Sequence, residues 1–399
     1  MDTNERLHAL DALRAFALFL GIYFHASLSF FPGLDDWVVA DTSSSLFVLI
    51  TAGFSHLFRM ALFFFIAGYF ARLLLHRRGL AYFIRDRAKR IAVPLVMFLP
   101  IMLVVLGIIW QWGAQVMSVP VPVPPPLSIQ TFPLTHLWFL YYLLWMYVIA
   151  IVGRHVFLHI IDRTGHIRSF AERFFVALMQ RRVAPVLLSI PLALAALAVR
   201  EWNPATGIPS PDKSLVPQLV PLVGFGTAFV AGWVCQRTAQ TLALITAQTK
   251  SSLAISLVFF VLTWVCGPAV AKFGASTWWP LMQFAAAMCV GLTLWYFNLF
   301  LVGFALKHLS QPSAARRYAA DSSYWLYIAH LPVVTGLQVV AAQMHWHWSI
   351  ELTLIVVMST ALLLLSYQLL VRSTWLGAIL NGKRLPEQKA AAPLAHAAQ

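Results

Sequence analysis

Apolar runs of about 20 residues recur along this sequence from Ala12 to Leu370, each long enough to cross a hydrocarbon core of about 30 Å as a helix. In lipid every backbone polar group must find its partner within the chain, so only helices or closed barrels can span. The runs do not alternate with period two, and stretches such as Leu253 to Val265 are apolar on every face, which argues against barrel strands. The expected fold is therefore an all-α polytopic membrane protein of about ten transmembrane helices, near 12–31, 47–75, 91–111, 137–158, 183–200, 216–236, 251–271, 279–306, 322–342 and 350–372. A composition 60% hydrophobic and only 11% charged excludes an ordinary soluble domain.

The formal net charge of +14 invites a nucleic-acid partner, but in a membrane protein basic residues first report orientation. With the N-terminus cytoplasmic, the inside segments hold 24 of the 28 Lys and Arg residues, the outside keeps Arg200, Lys213 and Lys272, and Arg59 lies within a span. That asymmetry places both termini in the cytoplasm and leaves no nucleic-acid role. The first run is too long, and too polar at Arg14 and His25, for a cleaved signal peptide. One membrane domain is expected over 1–375, with 376–399 a cytoplasmic tail with little to pack and expected to be disordered. Two longer polar stretches remain: a basic loop around Arg154 to Arg182, and the proline-rich Pro120 to Pro133, which either frames an opening or stiffly connects two spans. Cys235, Cys266 and Cys289 lack paired spacing and read as packing residues.

Ionisable groups inside spans are costly, so each is a candidate for function or for an internal pair. Arg14 and His25 are 11 residues apart, about three helical turns plus 20°, so they share a face about 16 Å apart along the axis. Asp11 can pair with Arg14 at i, i+3. His25 reads either as a proton acceptor or as a hydrogen-bonded core residue. His56 and Arg59 also share a face, either to hold a polar acceptor or to pair with neighbouring helices. His136 and Trp138 open the fourth span, where a Trp is expected as an interfacial anchor; His330, after Ser323 and Tyr327, is a lining residue or an interhelical hydrogen-bonding group. The patch from Arg85 to Arg90 precedes Pro94 at the third span and suits phosphate, lipid or topology alike. No P-loop, Rossmann glycine pattern or zinc motif is found, and no metal is expected; His345 and His347 among tryptophans read as an interfacial belt, and Glu351 belongs to no motif.

Together, several segments resemble the integral-membrane acyltransferase type-three family, and within it most closely members that succinylate periplasmic glucans. They are Leu10-Asp11 with Arg14-Ala15, Gly21 and His25; His56-x-x-Arg59-Met60 leading to Phe64-x-Ile66-x-Gly68-Tyr69-Phe70; Arg87-x-x-Arg90 with Pro94; His136-Leu137-Trp138-Phe139-Leu140; and Ser323-x-x-x-Tyr327-x-x-His330-x-Pro332. The stretch 155–310 matches only in hydrophobicity and span count.

The resemblance implies an O-acyltransferase of a bacterial inner membrane with no permanently bound cofactor, using cytoplasmic acyl-CoA as donor, succinyl-CoA being the expected one, and a periplasmic glucan as acceptor. His25 would be the general base with Asp11 beside it in the catalytic set, and Arg14, Arg87 and Arg90 would steer the donor. His56, Arg59, His136, Trp138, Ser323 and His330 would line the substrate site, with Arg59 one candidate for the free carboxylate of a succinyl group. With no nucleophilic Ser or Cys apparent, direct attack is expected. An O-acetyltransferase acting on another surface carbohydrate stays open, as does a transporter or lipid flippase, whose polar residues would line a permeation route.

Overall fold

The computed structural model describes residues 3–34, 37–121, 123–272 and 276–381. Among these the chain folds as thirteen α-helices: α1 (Thr3–Ser27), α2 (Leu46–Arg87), α3 (Val93–Met117), α4 (Trp138–Val156), α5 (His166–Gln180), α6 (Ala184–Leu197), α7 (Leu219–Cys235), α8 (Ala239–Ala247), α9 (Thr249–Lys272), α10 (Trp279–His308), α11 (Ala314–Ala341), α12 (Trp348–Ser366) and α13 (Trp375–Leu380). Short 3-10 and π-helical turns join several of them.

Seven helical runs are long and apolar enough to cross a membrane, or up to nine when two bent pairs, α5 with α6 and α7 with α8, each count as one span. The sequence suggests ten. The difference lies at Leu46–Met117, one run of 72 residues that contains the expected spans 47–75 and 91–111. Straight, it would measure about 108 Å, more than three times a hydrocarbon core, so it has to turn within its length. Gly79 breaks α2 there with φ 77° and ψ 174°, a conformation that side-chain-bearing residues avoid. The expected spans 183–200 and 216–236 correspond to α6 and α7, bent by 107° and 111° from their partners.

Two further expectations change. Much of the supposed basic loop 154–182 is helix: α5 starts where the Asp162 carboxylate accepts from the amides of Ile167 at 3.1 Å and Arg168 at 2.9 Å, satisfying two of the donors a helix start leaves open. The proposed tail is ordered at its start, since α13 reaches Leu380, which is buried; 382–399 lie outside the described residues.

Because lipid offers no hydrophobic drive for helix association, close backbone packing has to supply it. Gly68 of α2 and Gly232 of α7 sit reciprocally against the backbone of Phe229 and Phe65, and a Cβ on either would collide with a carbonyl. Beside this contact lies α10, the most enclosed of the long helices, packed on α2, α6 and α9. The first helix, α1, packs on α2, α10, α11 and α12, with its polar face turned into the molecule.

Candidate active site

The polar face of α1 opens on a cavity of about 1120 Å³, and ten of the eleven residues singled out in the sequence line it: Arg14, His25, His56, Arg59, Arg87, Arg90, His136, Trp138, Ser323 and His330. Helical arithmetic explains the first two, since α1 presents one side every three to four residues. The rest converge from α2, the π turn before α3, the start of α4, and α11.

At the centre is a group of three imidazoles. The His25 ring lies 5.1 Å from that of His330, which lies 5.0 Å from that of His136. Two of the three are oriented by backbone carbonyls, which can only accept. His330 therefore carries its proton on Nδ1, donated to Tyr327 O at 2.7 Å, and His136 on Nε2, donated to Ile328 O at 2.9 Å. Each keeps its other nitrogen as a lone pair. Tyr327 is itself held by donation from its hydroxyl to His136 O at 2.7 Å, which links α11 to the 3-10 turn before α4. His25 differs: its Nδ1 is buried with no hydrogen-bond partner among the described residues. Its backbone is fixed by Gln338, whose Nε2 donates to His25 O at 2.8 Å and to Ala26 O at 3.2 Å.

Arg59 stands beside this group. Its guanidinium is buried, donates to Leu20 O at 3.1 Å and sits 4.6 Å over the ring of Phe24, which also stacks on His56 at 4.7 Å. Among the described residues it forms no ion pair, so a buried cation borders the cavity, held by a backbone carbonyl and the Phe24 ring. A charge held so deep in a membrane protein is costly, which makes Arg59 a candidate functional residue.

One end of the cavity is strongly basic. Arg87 and Arg90 are carried on the π turn Ala88–Ala92 and its flank, and both pair with Asp86 at 3.1 Å. The Tyr324 hydroxyl donates to Arg90 O, anchoring the turn to α11. Arg77 and Arg78, just before the Gly79 break, line the same end, as does Arg14, whose guanidinium donates to Ala320 O at 3.2 Å. Around the whole cavity seven cations (Arg14, Arg59, Arg77, Arg78, Arg87, Arg90 and Lys213) face two acids, Asp212 and Asp321, so an anionic ligand is favoured at the arginine-rich end. The opposite end is bordered by Val121, Pro124 and Pro133 of the proline-rich segment.

Two expectations need correction. Asp11 does not line the cavity; it is half exposed, pairs with Arg14 at 3.4 Å, and precedes His25 by about 21 Å of helical rise, beyond any contact with the imidazole. Its place is to hold Arg14. Trp138 is no interfacial anchor: it is buried, its ring stacked 5.4 Å from Phe225 of α7. Ser323 turns its hydroxyl to Ala320 O at 2.7 Å. Residues passed over in the sequence include Phe24, Tyr324, Gln338, Arg77, Arg78 and Asp212; of these only the Arg77-Arg78 pair gave a signal, as basic residues beside a span.

A family model described as an acyltransferase domain matches residues 7–371. The chain is 24% identical to glucans biosynthesis protein C of Escherichia coli strain K12 over 332 residues, 82% of each chain. Identity is also 24% to the protein of that name from Salmonella typhi over 402 residues, 98% of each chain, and from Shigella dysenteriae serotype 1 over 333 residues, 82% of each. No solved structure matches.

Proposed function

The chain belongs to the acyltransferase domain family and is a multi-pass membrane acyltransferase, and from that premise we propose that it moves a succinyl group from cytoplasmic succinyl-CoA to a hydroxyl of a periplasmic glucan, with His25 as general base. The observation that carries this reading is the single cavity whose basic end and proline-framed end are joined past His25. The asymmetry of Lys and Arg assigns the basic end to the cytoplasm of a bacterial inner membrane. The name shared by the relatives suggests the glucan.

The chemistry follows from the placement of the side chains. Arginines at the basic end suit the phosphates of the donor, as bidentate donors to an oxyanion. A donor laid along α1 with its phosphates near Arg14 would bring its thioester toward His25, about 16 Å farther on. The acceptor hydroxyl, entering from the proline-framed end, attacks the thioester carbonyl while its proton passes to the His25 imidazole. The tetrahedral intermediate then collapses, the C–S bond breaks, and the proton goes to the departing thiolate. The cavity wall includes Ser210 and Ser323 but no Cys, and Ser323 donates to a backbone carbonyl, which favours direct transfer over an acyl-enzyme. The free carboxylate of a succinyl group meets the unpaired Arg59 beside the base.

The test is turnover per folded protein by His25→Gln, measured with donor binding and thermal stability and with mass spectrometry of the glucan product. A loss of about 10²- to 10⁴-fold with donor affinity retained is expected. Near wild-type turnover would remove His25 as the base. Translocation of substrate by pure protein without release of coenzyme A would replace the enzyme reading with a transporter.

A further inference from the structure

Beyond the imidazoles, the proline-framed end of the cavity is built from parts that donor chemistry does not use. Trp37 and Trp110 both line it and form an edge-to-face pair with ring centroids 5.8 Å apart and planes at 74°. Trp37 is tied to the reaction centre, because its Nε1 donates at 3.1 Å to Gln338 Oε1, and the amide of that same Gln338 holds the carbonyls of His25 and Ala26. The indole platform thus sits one hydrogen-bonded side chain away from the backbone of the proposed base.

The other flank comes from the loop between α6 and α7. Asp212 O accepts from Leu134 N at 2.7 Å, two residues before His136, and Leu215 N donates to Ile129 O at 2.8 Å, so this loop is joined to the proline-rich segment. These bonds hold the Asp212 backbone in the cavity wall on the His136 side, as Gln338 holds Trp37 on the His25 side. The Asp212 carboxyl makes no ion pair among the described residues, and burial pushes its pKa up from the ordinary value. Lys213 is the lone cation of this loop on the wall, against five arginines at the basic end. The two ends therefore sort ligands by charge: a polyanion at one and a neutral polar group at the other.

We infer that the proline-framed end is an acceptor subsite for one neutral pyranose ring, which rests a C–H face on the Trp37–Trp110 pair and donates its hydroxyls to Asp212. The inference rests on the acyl-transfer reading above and names the residues that present the acceptor. A pyranose has an apolar face and a rim of hydroxyls, so it needs both an aromatic surface and strong acceptors. An anionic headgroup would meet a carboxylate beside a single lysine. A ring gripped on both flanks of the three imidazoles would bring one hydroxyl to His25 while its neighbours stay bonded, which restricts attack to a preferred position on the sugar.

Purified full-length enzyme is assayed with saturating succinyl-CoA while a gluco-oligosaccharide is varied, alongside direct donor binding. Asp212→Asn and Trp110→Ala should each raise acceptor KM by about 10- to 100-fold, with kcat changed far less and donor affinity unchanged. Trp110→Phe, which keeps an aromatic face, should recover most of the loss. Thermal stability of each variant identifies a folding defect, in which case the Asp212→Asn and Trp110→Phe measurements decide. Unchanged acceptor KM in Asp212→Asn, or equal loss of donor and acceptor binding, would overturn the subsite. A wild-type enzyme that succinylates another acceptor but no glucan would overturn the glucan reading, and this inference with it.

Discussion

Exchanging Arg59 for glutamine should alter which donors the enzyme accepts. The guanidinium is buried beside His25 without an acid partner among the described residues, and its carbonyl and Phe24 contacts do not involve the acyl group. An incoming carboxylate at about 4 Å would gain about 4 kcal/mol at an effective dielectric of 20, before desolvation is subtracted. Hydrogen bonds to charged groups leave a net of about 1.5–3 kcal/mol, which corresponds to about 10- to 150-fold. Arg59→Gln should therefore lower kcat/KM for succinyl-CoA by that factor relative to acetyl-CoA. The assay compares both donors at one acceptor concentration and reads the ratio of their kcat/KM values in wild type and variant. Using the ratio matters, because losing the bond to Leu20 O and the stack on Phe24 would affect both donors alike. Equal losses with the two donors would refute the carboxylate role and assign Arg59 to the reacting carbonyl or to packing.

Two further predictions follow from the same geometry. Arg87→Ala with Arg90→Ala should weaken donor binding by about tenfold or more while leaving acceptor KM near wild type, because both side chains face the basic end and remain partly solvated; calorimetry with a non-reactive donor analogue checks this. Gly232→Ala should destabilise the bundle by about 1–3 kcal/mol or more, since a Cβ there meets the Phe65 carbonyl, whereas Gly153→Ala, with open space around it, should be neutral; thermal unfolding in one detergent compares them.

Residues that share a helix could be paired from the sequence by arithmetic alone. Arg14 with His25 and His56 with Arg59 each lie on one face, and each pair reaches the same cavity. Nothing in the spacing says that α1, α2, α4 and α11 turn those faces toward one another; for His136 and His330 the convergence came from resemblance. Gln338 and Trp37 stayed hidden because a neutral amide and an indole are ordinary in apolar segments, and their meaning lies in bonds spanning some 300 positions, at 3.1 and 2.8 Å. Trp138 was misplaced for a related reason: a Trp at a helix end is placed at the interface by composition, while here α7 covers it through Phe225.

The fate of Asp11 separates what proximity in sequence can establish from what catalysis requires. A carboxylate three residues from Arg14 invites a role as partner to the base, yet on a continuous helix its distance from His25 is fixed at about 21 Å. The histidine is flanked instead by two imidazoles whose protons are committed to backbone carbonyls, and by an unpaired guanidinium. A carboxylate bonded to a histidine orients the ring and stabilises the imidazolium formed on proton transfer, and at about 21 Å Asp11 can do neither for His25. On the reading proposed above, His330 and His136 border the base instead, and the Arg59 cation meets an anionic group delivered by the substrate. The proposed ligands would then balance the charge of this cavity, with a carboxylate at Arg59 and phosphates at Arg14, Arg87 and Arg90.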